Sequence, residues 1–360
     1  MAVVLTDSKN YTDIANAIRA KNGSAETYKP GEMPEAIRNL PSGGGVDVIP
    51  LDVTENGNYE APDGKAYSPV NVNVPTTVDS KEDEIVMKTI SGTYENNRIT
   101  RIGSYVFQSC TRLESVNFPE CKSVGYAAFQ YCTSLTTVNL ETCSTLGAYA
   151  FASCRNLSNL NIINCTSMES NAFANCANLT RVVLPNCSQM SNHAFFNCYK
   201  LQEIDMPLVT TIKSSAFYSC SRLSSINFPS AIIIESSAFC NCSALTKSTF
   251  NSVIRIENSA FYNCMNLSYI KLPKLSSTYG QKIFANCFNL KTIIIGASSV
   301  CYLAYSNVFL STPIDGYTES TGGVLGSIYV PASLIDSYKV ANNWSYYSSR
   351  FAPIEDLPTT

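Results

Sequence analysis

A phenylalanine that returns every 22 residues constrains the fold of this chain more than any other feature. Eight phenylalanines keep that spacing, and a ninth, Phe284, follows the last of them after 23 residues. The eight are Phe107, Phe129, Phe151, Phe173, Phe195, Phe217, Phe239 and Phe261. A fixed period of this length predicts a solenoid, in which each repeat packs against the repeats before and after it.

Each repeat carries further apolar residues at fixed distances from its phenylalanine. In the repeat of Phe129 these are Cys132, Leu135, Val138 and Leu140. The alternation of apolar and polar residues at the end of this segment has the period of a β-strand. We therefore expect one short strand per repeat, with turns between the strands and the phenylalanine rings in contact from repeat to repeat.

These residues resemble the BspA-like class of bacterial leucine-rich repeats. The resemblance is carried by A-F-x-x-C, by the leucine and strand residues that follow, and by a proline behind many strands, such as Pro119 and Pro185. One strand position departs from the pattern, because Ser248 stands where the other repeats have Val, Ile or Leu. The resemblance implies a β-rich leucine-rich repeat solenoid of 22-residue repeats, and it specifies fold far better than function.

The sequence around this array divides into four predicted regions. They are a helical attachment module with a glycine-rich linker (1–45), a small β module with a linker (46–83), the solenoid with its entry rung (84–308), and the last rung with a C-terminal cap (309–360). Helical spacing of Ile14, Ala17 and Ile18 indicates the first module. Alternation of Val70 and Val72 with asparagine indicates a half-buried strand in the second.

The last region shows the residues that close a solenoid. Phe309 follows Phe284 after 25 residues, and residues 327–331 form the expected last strand. Ser333 is an expected helix cap. The bulky side chains expected to close the core are those of Trp344, Tyr346, Tyr347 and Phe351. This ending resembles the terminal cap of BspA-like arrays.

Two N-terminal stretches resemble virion proteins of tailed phages that infect Gram-positive hosts. Residues 11–19 with 28–30 look like the start of such proteins, and residues 51–59 with 67–75 resemble a small β module found in them. The resemblance implies that residues 1–80 attach the chain to other tail proteins.

The fifteen cysteines follow the repeat. Thirteen fall on two repeat positions; Cys240 and Cys301 stand outside them. A free cysteine behaves as a small hydrophobe, so periodic burial predicts reduced thiols. Disulfides between neighbouring rungs and a zinc site are the alternatives, although no C-x-x-C pair occurs.

Composition excludes several function classes. A net charge of −3 and 15 % charged residues do not suit a nucleic-acid-binding surface. No apolar run is long enough for a transmembrane helix, so membrane insertion is not expected. Met1 to Asn10 lack a basic start followed by an apolar core, so no secretory signal peptide is expected.

The sequence contains no convincing catalytic constellation. Its single histidine, His193, occupies a variable turn position that we expect to face solvent. Cys198 follows five residues later, but the same cysteine recurs in eight other repeats, whereas a nucleophile would be singular. Glu203 and Asp205 are interpreted as a solvated pair rather than a hydrolase dyad. We expect neither an enzyme nor a cofactor.

The outward residues of the strands form the candidate ligand face. Its members are Asn117, Asn139, Asn159, Asn161, Arg181, Glu203, Asp205, Asn227, Lys247, Tyr269 and Lys271. A solvated polar face is one interpretation. Recognition of a sugar or a polar protein surface is the other, because solenoids bind along extended faces.

These observations favour a non-enzymatic, tail-associated phage protein that presents the solenoid to a host surface glycan or protein. The chain would be made in the bacterial cytoplasm and located in the virion. The alternative is a bacterial cell-surface adhesin or an intracellular interaction scaffold. The sequence leaves self-association into homo-oligomers open.

Overall fold

The computed structural model describes residues 77–78 and 91–357. The predicted attachment module (1–45) and nearly all of the small β module (46–83) therefore lie outside the described residues. From residue 91 onward the chain forms a parallel β-solenoid, and the whole has about 12 turns of roughly 22 residues. The predicted leucine-rich repeat solenoid is confirmed.

Each turn from residue 91 to residue 303 contributes two strands, which stack into two parallel ladders. The front ladder contains the strands that the repeat pattern predicts. They are Gly92–Glu95, Leu113–Asn117, Thr137–Asn139, Asn159–Asn161, Arg181–Val183, Glu203–Asp205, Ser225–Asn227, Lys247–Thr249, Tyr269–Leu272, Thr292–Ile295, Ser327–Val330 and Phe351–Pro353.

The side ladder contains a second, shorter strand of each turn. Its strands are Thr77–Val78, Arg101–Ile102, Ser123–Val124, Thr145–Leu146, Ser167–Met168, Gln189–Met190, Thr211–Ile212, Ile233–Ile234, Arg255–Glu257, Ser277–Tyr279 and Tyr302–Leu303. The expectation of one strand per repeat was therefore wrong. A two-residue strand buries one side chain, such as Val124, and is too short to show an alternating pattern.

A stack of phenylalanine rings runs through the core. From Phe107 to Phe309 neighbouring rings lie 4.8 to 5.5 Å apart between centroids, and their planes are tilted by no more than 15°. Neighbouring strands of a sheet lie about 4.8 Å apart, so a residue repeated once per turn stacks on its own copies. The predicted ring-to-ring contact is confirmed.

The segment A-F-x-x-C forms the corner between the side ladder and the next front strand. The amide of Phe195 donates a hydrogen bond to the carbonyl of Ala216 in the next turn, at 2.8 Å. From Phe107 to Phe284, the residues two before and two after each repeat phenylalanine have a left-handed backbone, as His193 (φ 57°) and Asn197 (φ 59°) show. Asparagine tolerates this conformation better than most residues, which accounts for its frequency here.

The repeat cysteines are buried free thiols with a defined partner. In each repeat from Phe129 to Phe284, the cysteine three residues after the phenylalanine donates a hydrogen bond to the phenylalanine carbonyl of the preceding turn; for Cys198 and Phe173 the distance is 3.2 Å. The second cysteine position, represented by Cys143, donates to the carbonyl two residues ahead, at Thr145. Burial raises the pKa of the Cys121 thiol to about 11 and that of Cys198 to about 12. The thiols thus complete backbone hydrogen bonding inside the solenoid.

The C-terminal residues cover the last turn. Trp344 and Tyr338 are fully buried, and the indole Nε1 donates to the Cys301 carbonyl at 2.6 Å. The short helix Ile335–Val340 follows a 3₁₀ turn, Ala332–Leu334, and Leu334 rather than Ser333 precedes it as the cap residue. The remaining 3₁₀ helices are Ser306–Phe309, Glu319–Thr321, Trp344–Arg350 and Ile354–Asp356.

Two further expectations for this region, besides the helix cap at Ser333, were wrong. The last strand is Phe351–Pro353, which pairs with Ser327–Val330. Tyr346 is 78 % exposed and does not help to close the core, because its 3₁₀ helix turns it outward while the neighbouring Tyr347 is buried.

Candidate binding surface

The front ladder places the eleven residues of the candidate ligand face on its outer side. Strands pair in strict register, so that Asn117 lies beside Asn139, and Asn139 beside Asn161. All eleven are half-buried or exposed. The face is not one unbroken sheet, since hydrogen-bonded pairing divides the front ladder into three sheets, covering 92–161, 181–227 and 247–353.

The first of these sheets presents a ladder of amides. Asn139 Nδ2 donates to Asn117 Oδ1, and Asn161 Nδ2 donates to Asn139 Oδ1, both at 2.7 Å. Asn159 makes a longer contact, 3.4 Å, to the Thr137 hydroxyl. An uncharged surface of repeated donors and acceptors results.

The second sheet carries charges on the same side. Arg181 Nε donates to Glu203 Oε2 at 2.9 Å, and Asn227 Nδ2 donates to Asp205 Oδ1 at 2.7 Å. Glu203 raises the pKa of Arg181, through this hydrogen bond and then its charge. The Arg181 side chain remains 63 % exposed, so most of it is accessible to a ligand.

The third sheet brings the remaining three residues together. Lys247 pairs in register with Tyr269, and Thr249 with Lys271. Tyr269 is half-buried, and burial raises the pKa of its phenol. Tyr269 thus has Lys247 beside it on the neighbouring strand and Lys271 two residues ahead on its own strand, a combination that differs sharply from the amide ladder. The role of all eleven residues as ligand contacts stays a prediction.

His193 and Cys198, which are five residues apart in the sequence, do not form a catalytic pair in the structure. His193 is half-buried rather than exposed, because its left-handed corner sets the ring 5.6 Å from that of Phe196. The Cys198 thiol points to the core and donates to the Phe173 carbonyl. Among residues 91–357, His, Cys, Asp and Glu do not gather into a group suited to a metal ion.

Sequence reasoning missed the outward residues of the side ladder, since it did not predict these strands. Toward the C-terminal end they include Arg255, Glu257, Tyr279 and Tyr302. Alternation in Arg255-Ile256-Glu257, with Ile256 buried, was the available signal. No helix in the described part of the chain is long and apolar enough to span a bilayer.

A family model for the BspA-type leucine-rich repeat region matches residues 88–202 and 188–313 and is found in six copies. Together these ranges cover more than half of the 360 residues. No curated protein sequence matches the chain.

Solved structures similar to this chain are also leucine-rich repeat proteins. A leucine-rich cell-surface protein from Faecalibacterium prausnitzii is 24 % identical, with 65 % of this chain and 78 % of that chain covered and a TM-score of 0.36. A leucine-rich repeat protein of T. pallidum is 19 % identical, with 53 % of this chain and 72 % of that chain covered and a TM-score of 0.37. A leucine-rich repeat protein from Eubacterium ventriosum is 15 % identical, with 60 % of this chain and 91 % of that chain covered and a TM-score of 0.38.

Proposed function

The chain belongs to the BspA-type leucine-rich repeat family, and on that premise we propose that it is a non-enzymatic binding protein whose front ladder recognises a partner. Leucine-rich repeat solenoids serve as interaction scaffolds and are usually without catalytic activity. The observation that carries the proposal is the change along one outer side, from the amides of Asn117 and Asn139 to the charged pair Arg181–Glu203. A scaffold repeated in register presents such a series at fixed spacing.

The chemistry of this surface suits a polar partner. The amide ladder offers hydrogen-bond donors and acceptors without charge, and charged groups in the second sheet add selectivity by rejecting partners of the wrong sign. The partner that we propose is a glycan or a protein on a host cell surface.

The biological setting of the proposal is the tail of a phage. It is supported by the likeness of residues 11–19 with 28–30, and of residues 51–59 with 67–75, to virion proteins of tailed phages with Gram-positive hosts. On this view residues 1–80 attach to other tail proteins, and the solenoid extends toward the host. The protein would be synthesised in the bacterial cytoplasm and carried in the virion.

Binding of the full chain to host cells tests the proposed surface. Arg181→Ala and Tyr269→Ala should each weaken binding about tenfold without lowering the melting temperature, because both lie on the outer side of the ladder. Arg222→Ala and Tyr199→Ala remove exposed side chains of the same types elsewhere and should leave binding unchanged. Equal effects of the two pairs would show that the front ladder is not the recognition surface.

A separate measurement addresses the setting. Mass spectrometry of purified phage particles should detect the chain among tail proteins. Its recovery from the bacterial envelope and absence from particles would favour an adhesin instead.

A further inference from the structure

We propose that the side ladder carries a glycan-binding subsite, formed by the rings of Tyr279 and Tyr302 with the ion pair of Arg255 and Glu257 beside them. The ligand is a neutral chain of hexopyranose units. The subsite lies on the ladder that the proposed partner surface does not use, and it does not depend on the role of the asparagine face.

Four side chains form a continuous row across three turns of the side ladder. The rings of Tyr279 and Tyr302 lie 5.9 Å apart between centroids and are tilted by 46°. The guanidinium carbon of Arg255 lies 5.9 Å from the Tyr279 centroid on one side of that ring. Arg255 Nη2 is 3.1 Å from Glu257 Oε1. The row therefore joins two aromatic surfaces to a donor and an acceptor.

Packing does not account for two tyrosines at these places. Tyr279 is 55 % exposed and Tyr302 is 56 % exposed, so burial of their rings stabilises the fold only in part. Strand pairing places Tyr302 at the register position that Ser277 and Arg255 occupy in the two preceding turns. From residue 123 to residue 189 the same register position holds small or amide side chains, namely Ser123, Thr145, Ser167 and Gln189. Adjoining aromatic rings that stay accessible offer a ligand an apolar surface to contact.

The chemistry of the row selects the ligand. One face of a pyranose ring presents C–H bonds, and these carry the weak positive charge that the negative face of an aromatic ring attracts. Sugar hydroxyls around that face both donate and accept hydrogen bonds, which Arg255 and Glu257 can satisfy at the edge of the rings. The two charges compensate each other within the pair, so a neutral sugar fits better than an anionic one.

The spacing of the solenoid adds a geometric argument. Turns of the ladder lie about 4.8 Å apart, and the two rings are offset by 5.9 Å. Successive units of a polysaccharide repeat on a similar scale, so that neighbouring sugars of one chain can each contact one ring. A single monosaccharide would use half of the row.

Calorimetric titration of the full chain with maltohexaose, cellohexaose and chitohexaose tests the subsite, with saturation-transfer NMR to identify the sugar protons in contact. At least one of the three should bind. Tyr279→Ala and Tyr302→Ala should each lower the affinity about tenfold, as loss of one aromatic contact predicts. Tyr279→Phe removes only the hydroxyl and keeps the ring, so it should retain the affinity of the original chain. A loss of affinity in this variant would mean that the hydroxyl, and not the ring, is needed.

Matched controls make the outcome specific. Tyr199→Ala removes a tyrosine of similar exposure outside the row, and Arg181→Ala alters the front ladder alone; neither should change saccharide affinity. Loss of saccharide binding with intact host-cell binding would separate the two surfaces. Absence of binding to all three saccharides, or binding that survives both tyrosine-to-alanine changes, would overturn the subsite.

Discussion

The first half of the array, from Phe107 to Cys187, and the second half, from Phe195 to Leu303, share most of their interior but differ in their surface. Rings stack through both halves with nearly parallel planes. Outside, the front ladder of the first half carries stacked asparagines and ends at Arg181, whereas that of the second half carries Glu203, Asp205, two lysines and Tyr269. The side ladder changes in the same direction, from serine and threonine to Arg255 and two exposed tyrosines. Recognition is therefore best sought where outward residues depart from the repeat.

The halves also differ in one row of the interior. The first half places cysteine at the second thiol position, and the second half places aliphatic residues there. These are Cys121, Cys143, Cys165 and Cys187, followed by Val209, Ala231, Val253 and Leu275. Both sets are buried, so a thiol and an aliphatic group fill the same space. The thiols differ from the aliphatic groups in that they can ionise.

Phe195→Ala should cause the largest change, because it interrupts the ring stack where the two halves meet. Removal of a fully buried ring costs about 3–5 kcal/mol in unfolding free energy. His193→Ala, two residues away in the corner, should cost less than about 0.5 kcal/mol. Chemical denaturation measures both, and equal effects would contradict the assignment of the rings to the shared interior.

Alkaline pH should destabilise the protein through its buried thiols. Burial raises the folded pKa from 9.0 to about 11 for Cys121 and about 12 for Cys198. A raised folded pKa gives stability that is fully present below the unfolded value and is lost as pH rises toward the folded one. The melting temperature should be steady up to about pH 8.5 and fall between about pH 9 and 12, because the unfolding free energy decreases by up to about 1.4 kcal/mol per thiol for each pH unit.

One substitution connects this pH dependence to the difference between the halves. Cys143→Val replaces a thiol of the first half with the side chain that Val253 has at the same repeat position in the second half. Because valine cannot ionise, the variant should show a smaller fall in melting temperature at alkaline pH. An unchanged alkaline profile would mean that this row of thiols does not contribute to it.

Ser248→Val should stabilise the second half. Ser248 is 4 % exposed, lies in register beside Ile270, and has a buried hydroxyl without a hydrogen-bond partner. An unsatisfied buried hydroxyl costs about 1–3 kcal/mol, and valine also fills the space that Val138 fills in the first half. The midpoint of denaturation should rise, whereas Val138→Ser should lower it. A lower midpoint for Ser248→Val would show that the serine is accommodated by its neighbours.

Cys198→Ala should have a smaller effect, because it removes one thiol hydrogen bond and little volume. The lost bond to the Phe173 carbonyl and the small cavity together cost about 1–2 kcal/mol. Cys240→Ala is the control, since that cysteine lies outside the repeat positions and should cost less. If both variants unfold at the same denaturant concentration, the thiol-to-carbonyl bond adds no stability of its own.

The period of the sequence was sufficient to predict the solenoid, the ring stack and the side of each front strand that faces outward. Phe195 and Cys198 are buried and Arg181 faces outward. A fixed repeat stacks equivalent positions of successive turns, so a position that is apolar in every turn faces the interior and a polar one faces solvent. This part of the fold follows from spacing alone.

The second strand and the corner conformation could not be predicted in the same way. Val124 and its copies were visible as an apolar row, but a strand of two residues shows no alternation. The left-handed backbone at His193 and Asn197 arises from inter-turn hydrogen bonds and is shared by residues as different as tyrosine and lysine. The aromatic row of Tyr279 and Tyr302 was missed for the first reason, since its residues belong to the unpredicted strands.

A reducing agent should have the smallest effect on the folded protein, namely none. All fifteen cysteines are buried and free, and the repeat thiols already donate to backbone carbonyls, either of the preceding turn, as Cys198 does, or two residues ahead, as Cys143 does. Thiol titration of the denatured, unreduced protein should find nearly all fifteen, and added reductant should leave the melting temperature unchanged. A count near one would mean that neighbouring turns are cross-linked. Because the first half has the second row of thiols, cross-links would be densest there, and reduction would then lower the stability of that half more than that of the other.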